Sequence, residues 1–203
     1  MRGMPSVARS LTMGRFPEIR ISAGSYIGLA LGILLLPLDW LMAGLLAAGI
    51  HELCHLIVIW FCGGRVEYLH LNAGGAQIGM VDLSAWQEAL CALAGPLGGL
   101  VLVFFGRRIP RVAVCALLQS AYNLLPLYPL DGGRVVKCVA TIFLAPDRGE
   151  VVIETVETVT ILGVIVFVLH LSSLFSWNVW LIMGALMVLL RKIPCKRREE
   201  RVQ

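Results

Sequence analysis

The residues best suited to carry out chemistry lie in the stretch Ile50-His51-Glu52-Leu53-Cys54-His55-Leu56. On a helix, positions four apart share a face, so His51 and His55 can bind one metal ion from the same side. Zinc binds imidazole nitrogen readily, and a catalytic zinc site keeps one coordination position open for water. Glu52, one step round the helix, could accept a proton from that water. This spacing is typical of a hydrolytic metal centre.

The sequence around this motif is apolar from about residue 41 to residue 62. In a soluble chain, His-Glu-x-x-His is often only a solvated helix face. Inside a membrane span, charged residue types cost about 2.5–3.5 kcal/mol on insertion scales, and they generally mark a functional site. Two histidines and a glutamate in hydrocarbon need partners, and a divalent metal ion would supply one.

The composition is that of a membrane protein. The chain has 203 residues, of which 58% are apolar and 15% charged, and its mean hydropathy is +0.83. These values are far from those of a soluble domain, and the apolar residues come in several separate runs. We therefore expect one all-α, polytopic membrane domain that includes a small β-hairpin. The net charge of +4 gives no support for nucleic acid binding. The six cysteines form no Cys-x-x-Cys pair, and no cleavable signal peptide is expected.

Six transmembrane helices are predicted from the apolar runs. Their approximate bounds are residues 24–37, 40–62, 86–106, 112–130, 151–171 and 174–190. Together they form a membrane domain over residues 24–192, between basic tails at residues 1–23 and 193–203. With both tails on one side, all but three of the 17 Lys and Arg residues lie on that side. The positive-inside rule then places both termini in the cytoplasm.

Residues 65–82 are predicted to form the β-hairpin between the second and third spans. The stretch Val66-Glu67-Tyr68-Leu69-His70-Leu71 alternates in polarity, and Asn72-Ala73-Gly74-Gly75 is typical of a turn. An open hairpin cannot face lipid, so it should lie at the interface or line a cavity beside the metal helix. His70 is a conceivable further ligand, although a polar residue in a hairpin needs no metal.

Two further stretches bear on the metal motif. The small residues of Ala94-Gly95-Pro96-Leu97-Gly98-Gly99 predict a close contact between helices. The fourth span ends in Asn123-Leu-Leu-Pro126-Leu-Tyr-Pro129-Leu-Asp131-Gly132-Gly133-Arg134, in which two prolines break the helix. Broken backbone at membrane depth is tolerated where it lines a cavity.

Asp131 has two interpretations. By itself it would be a solvated cap in a Pro/Gly loop. Two histidines, one carboxylate and a water form a known catalytic zinc set, and this makes Asp131 the best candidate for the missing ligand. Asn123 could hydrogen-bond an extended substrate strand.

These motifs together resemble those of the site-2 protease family of intramembrane zinc metalloproteases. The resemblance rests on His51-Glu52-Leu53-Cys54-His55, Gly74-Gly75-Ala76, Ala94-Gly95-Pro96-Leu97, and Asn123-x-x-Pro126-x-x-x-Leu130-Asp131-Gly132-Gly133, in this order. It covers roughly residues 24–140. The hairpin and the compact layout are most similar to the sporulation branch, the stage IV protease that processes a pro-sigma factor.

The resemblance implies a metalloendopeptidase with one zinc ion per chain, in a bacterial cytoplasmic or forespore membrane. His51, His55 and Asp131 would be the zinc ligands, and Glu52 the catalytic acid and base. Asn123 would position the substrate, together with Gly74, Gly75 and Pro126. The expected partners are a membrane-tethered protein, such as a pro-sigma or anti-sigma factor, a membrane inhibitor protein and the lipid bilayer, with no nucleic acid.

The chain departs from the family pattern in two places. Cys54 lies where the family often has glycine, beside the metal-binding face. Neither the nucleotide-sensing C-terminal domain usual in the sporulation branch nor a PDZ-like insertion is expected from the sequence.

Two other classes of function remain open at this stage. A proteolytically inactive scaffold could bind the same substrates, and a small transporter would also use broken helices and intramembrane acids. Inverted repeats would favour the transporter, but the two halves of the chain carry dissimilar motifs. Metal analysis together with a cleavage assay separates the three classes.

Overall fold

The computed structural model of the chain describes residues 18–72 and 75–174. The described part consists of three strands and six helices. In chain order these are β1 (Glu18–Ile21), α1 (Ala23–Leu35), α2 (Leu38–Phe61), β2 (Arg65–Asn72), β3 (Gly75–Val81), α3 (Ala85–Phe104), α4 (Pro110–Asn123), α5 (Asp131–Phe143) and α6 (Pro146–Leu174). Gly74, residues 1–17, nearly all of the predicted span 174–190 and the tail 193–203 lie outside the described residues.

Three of these helices are long and apolar enough to cross a membrane: α2, α3 and α6. A span needs about 20 apolar residues, and α1, with 13, is a shorter apolar helix. A membrane protein is therefore supported, whereas the predicted count of six spans is not established. Many large apolar side chains on α1, α2 and α6 are exposed, as expected for helices that face lipid.

The buried face of α2 is a single stripe of residues spaced four apart. It consists of Ala43, Ala47, His51, His55 and Ile59. Positions at this spacing follow one side of an α-helix, so the two histidines face the protein interior while leucines cover the opposite side. Alanines at one end of the stripe pack against Val112 and Ala116 of α4, while Ile59 packs against the sheet and α3.

The predicted hairpin is present as β2 and β3, which pair antiparallel from Arg65↔Val81 to Asn72↔Gly75. Gly75 has φ +124°, a backbone conformation that residues with a side chain rarely adopt. This explains why glycine lies at the turn. A third strand, β1, runs parallel to β2 with Glu18 opposite Tyr68. The sequence analysis placed β1 within the basic tail, because four residues carry little pattern and their partner strand lies fifty positions away.

The predicted fourth span, residues 112–130, is not a continuous helix. Helix α4 ends at Asn123, residues 124–130 form a loop with a cis Tyr128–Pro129 bond, and α5 begins at Asp131. The two prolines explain the break, since each lacks the N–H that a continuing helix requires. The polar stretch after Asp131 was not predicted to be helical, yet it forms α5.

Two glycines hold α5 close to this loop. A Cβ on Gly132 would overlap the backbone of Leu124 and Leu125, and a Cβ on Gly133 would overlap that of Leu127 and Tyr128. The first turn of α5 therefore packs directly on the loop backbone. This contact fixes the position of Asp131, the first residue of the helix.

Candidate functional site

Three side-chain atoms from two distant parts of the chain form a nearly equilateral triangle. His51 Nε2 and His55 Nε2 lie 3.2 Å apart, and Asp131 Oδ2 lies 3.1 Å from the first and 3.3 Å from the second. Both imidazoles are buried, and the carboxylate is only 12% exposed. The structure thus brings the three residues predicted as ligands together at one point, as a group that could hold a metal ion.

The orientation of His55 is fixed from its other nitrogen. His55 Nδ1 lies 2.6 Å from the carbonyl oxygen of Cys91 in α3. A carbonyl oxygen can only accept, so Nδ1 carries the proton and the Nε2 of the neutral ring presents a lone pair to Asp131. Metal-binding histidines commonly donate their second N–H to a carbonyl or carboxylate in this way.

The donor set fits a zinc ion. A lone pair on His55 Nε2 and an ionised Asp131 oxygen repel each other at 3.3 Å unless a cation lies between them. Tetrahedral zinc with bonds of about 2.0–2.1 Å requires ligand atoms about 3.3–3.4 Å apart. The three observed distances of 3.1 to 3.3 Å are close to this requirement.

The two imidazoles meet in a space that exists because Gly95 of α3 has no side chain. A Cβ on Gly95 would overlap His55 Nε2 and would lie 2.7 Å from His51 Nε2. Gly98, one turn along, lies against the Cys54 side chain, and Gly99 against Ser120 of α4. The predicted close helix contact is therefore present, and it borders the site itself.

A cavity of about 90 Å³ opens beside the triangle. Glu52 lines this cavity with the three candidate ligands, and residues 75–78 of β3 line it as well. Glu52 is partly buried, so its carboxylate is screened from bulk water but open to the cavity. The arrangement places an acid–base group and a candidate metal site around one small space.

The residues predicted to bind substrate have different locations. Asn123 lines the cavity, with its Nδ2 3.2 Å from His51 Nε2, and Gly75 lines the wall formed by β3. Pro126 lies in the 124–130 loop and is not among the cavity-lining residues, whereas Pro129 is. Gly74 lies outside the described residues. His70, in β2 opposite Gln77, is not part of the candidate metal group.

Several groups that border the site were not predicted from the sequence. Gln119, Arg134 and Gln77 of β3 all line the cavity. Two of them had a usable signal: Gln119 comes four residues before Asn123, and Arg134 three residues after Asp131, which puts each on the same helix face as a predicted site residue. The Cys91 carbonyl had none, because a backbone group leaves no mark in the sequence.

Comparison with curated proteins gives two relatives with informative names. The chain is 30% identical over 154 residues to "Putative zinc metalloprotease sll0528" of Synechocystis sp., covering 68% of this chain and 38% of that protein. It is 34% identical over 116 residues to "Putative zinc metalloprotease Rip3" of Mycobacterium tuberculosis, covering 48% and 29%. The chain thus spans less than two fifths of these relatives' length. No family model matches it.

Among solved structures, the chain is similar to a site-2 protease from Methanocaldococcus jannaschii, with a TM-score of 0.61. The match covers 87% of this chain and 90% of that one. The chain has the site-2 protease fold. At 20% sequence identity the likeness concerns the fold alone. The site-2 protease fold explains how α2 and α5, eighty residues apart, bring their polar side chains to one point.

Proposed function

We propose that this chain is the catalytic region of a zinc-dependent intramembrane protease of the site-2 protease family. It would cleave a membrane-tethered protein in or near its transmembrane segment. The observation that carries the proposal is the triangle of His51, His55 and Asp131 beside Glu52. The two histidines and the glutamate lie on α2, an apolar helix long enough to span a membrane. The fold and the names of the two relatives support the same function.

In this proposal His51, His55 and Asp131 hold one zinc ion. When bound, zinc polarises the scissile carbonyl and lowers the pKa of water towards neutrality. Glu52 takes a proton from the attacking water and delivers it to the nitrogen of the leaving amine. The Cys91 carbonyl keeps the His55 ring oriented with its lone pair towards the site.

A substrate helix must be unwound before its carbonyls can be attacked, because they are locked in hydrogen bonds. Strand β3 is at the outer edge of the sheet order β1-β2-β3 and forms one wall of the cavity. An unwound segment would add as a further strand to β3, which satisfies its freed backbone groups. Asn123, which also lines the cavity, would bind this segment.

The proposal includes the factor that is released, the membrane in which cleavage takes place and the regulator. Cleavage would release a sigma factor or another transcription factor from a bacterial cytoplasmic or forespore membrane, with both termini of the chain in the cytoplasm. A membrane inhibitor protein would regulate it. The names of the relatives specify neither sporulation nor a sigma factor, so the pro-sigma-factor branch stays a prediction.

The test is cleavage of a membrane-tethered substrate by the purified full chain and by its Glu52→Gln variant. General acid–base catalysis contributes about 10²- to 10⁴-fold, so the variant should lose at least that factor while retaining zinc. Glu67→Gln, the same chemical change on an exposed residue of β2, is the matched control. Undiminished cleavage by Glu52→Gln would refute the mechanism. Binding without cleavage by the wild type would favour an inactive scaffold instead.

A further inference from the structure

Arg134 is a cationic residue that lines the proposed active-site cavity. It lies on α5 one turn beyond Asp131, and its side chain is only 18% exposed. A cation held this far from water is costly unless an anion accompanies it. The identity of its anionic partner therefore matters.

The partner that the protein supplies is a poor one. Arg134 Nη2 lies 3.5 Å from Glu88 Oε1 in the first turn of α3, and Glu88 is 44% exposed. A strong guanidinium–carboxylate pair has contacts of about 2.7–2.9 Å and is often bidentate. A single long contact uses one of the five N–H donors of the guanidinium and leaves most of them for another acceptor.

Glu52 and Asp131, the two carboxylates that line the cavity, form no close ion pair with Arg134 in the described part of the chain. Asp131 Oδ2 is engaged by His51 and His55 at 3.1 and 3.3 Å. Within residues 18–72 and 75–174, no ion pair within 4.0 Å joins Arg134 to Glu52 or to Asp131. A largely buried guanidinium with free donors thus belongs to a residue at the cavity that a peptide would enter.

We propose that Arg134 is a specificity-determining residue that binds a carboxylate of the substrate close to the scissile bond. This inference rests on the proposed protease function. The carboxylate can come from an Asp or Glu side chain or from a peptide C-terminus, and both present two oxygens to the guanidinium fork. Substrates with such a group near the cleavage point are preferred over their amide counterparts.

A purely structural role makes a different prediction. If the pair with Glu88 only clamps α5 to α3, removal of either partner should disturb the site equally, whatever the substrate carries. Glu88→Gln weakens the clamp but keeps the Arg134 cation, whereas Arg134→Gln removes the cation. The two variants therefore separate a clamp from a binding residue.

The experiment uses membrane-tethered peptides that carry Glu or Gln at successive positions on each side of the cleavage point. Removal of one partner of a buried charge pair weakens substrate binding by about 10- to 100-fold. The Glu-over-Gln ratio of kcat/KM should fall at least tenfold in Arg134→Gln and stay unchanged in Glu88→Gln. Arg134→Glu should cleave a further peptide, with Lys at the same position, in preference to the Glu peptide. Equal losses on all peptides, or equal effects of both variants, would overturn the inference.

Binding measurements keep this test independent of catalysis. Dissociation constants of the Glu and Gln peptides, each with a free or an amidated C-terminus, are measured on Glu52→Gln and on Glu52→Gln/Arg134→Gln. Tighter binding of the Glu peptide than of the Gln peptide, or of the free than of the amidated C-terminus, supports the inference if it requires Arg134. The peptide that shows the difference tells which carboxylate is bound. Equal affinities of all four peptides contradict it. If the wild type cleaves no peptide but the affinity difference still depends on Arg134, only the proposed protease function is contradicted.

Discussion

The side chain of His55 donates from Nδ1 to the carbonyl oxygen of Cys91, 2.6 Å away, and so turns the lone pair of its Nε2 towards Asp131. This bond links α3 to the candidate metal centre through the backbone. It means that the geometry of the site depends on how closely α3 packs against α2.

Gly95→Ala should abolish metal binding without unfolding the protein. Its Cβ would enter the space where the two imidazole Nε2 atoms meet, so at least one ring must turn away. Loss of a supporting contact around a metal ligand typically weakens affinity about 10- to 100-fold, and direct displacement of a ligand should exceed this. Zinc content after dialysis measures the effect. Gly49→Ala, with no atom near its added Cβ, is the control and should bind zinc like the wild type.

Gly98→Ala should destabilise the chain through Cys54. The new Cβ would overlap Cys54 Sγ and lie 3.0 Å from its Cβ, and overpacking of this kind costs about 1–3 kcal/mol. Cys54→Gly has its own cost in the interior of α2. The double variant should nevertheless lose less stability than the sum of the two single variants, because the obstructing side chain is gone. Thermal unfolding in detergent of the two single variants and the double variant gives the coupling. Additive effects would show that the two residues do not meet.

Asn123→Ala should lower kcat/KM about tenfold or more while leaving one zinc per chain. Asn123 Nδ2 lies 3.2 Å from His51 Nε2, whose lone pair is used once a metal is bound, so the amide is then available to a substrate. Loss of one hydrogen bond to substrate costs about 1–3 kcal/mol. Kinetics and metal analysis on the same preparation check both parts. A parallel loss of zinc would assign Asn123 to the metal site rather than to the substrate.

Removal of the metal should destabilise the wild type selectively. Without a cation, the lone pair of a neutral His55 Nε2 faces the Asp131 carboxylate oxygen at 3.3 Å, and two acceptors at this distance repel each other. A ligand present at a hundred times its Kd stabilises the folded state by about 2.7 kcal/mol, which chelation removes. The midpoint of thermal unfolding should fall with chelator and recover with zinc. His55→Ala should unfold at the same temperature with and without chelator.

The parts of the site that the sequence predicted are those with local spacing. His51 and His55 lie on one face because they are four residues apart. Asp131 was predicted instead from the donor set that a zinc site needs, and the structure places it beside both imidazoles. The small residues around Gly95 predicted a helix contact, but not that the contact borders the imidazoles. This required knowledge of which helix lies opposite α2, and no single segment carries that information.

The parts that were missed depend on distant or backbone partners. Strand β1 is four residues long and pairs with a strand fifty positions away, so its own sequence shows no strand signal. Helix α5 follows two prolines and carries two glycines in its first turn, and these residues favour a loop locally. The close packing of that turn on residues 124–128 outweighs the local preference. The Cys91 carbonyl became visible only when the helices were placed together.

The most direct test of the central claim is zinc K-edge X-ray absorption of the purified full chain. Coordination by His51, His55 and Asp131 predicts one zinc per chain, with two imidazole nitrogens and oxygen ligands at about 2.0–2.1 Å. Asp131→Ala should remove the carboxylate contribution or the metal itself. A sulfur neighbour at about 2.3 Å, which would mean a cysteine ligand, or the absence of any bound metal would contradict the account.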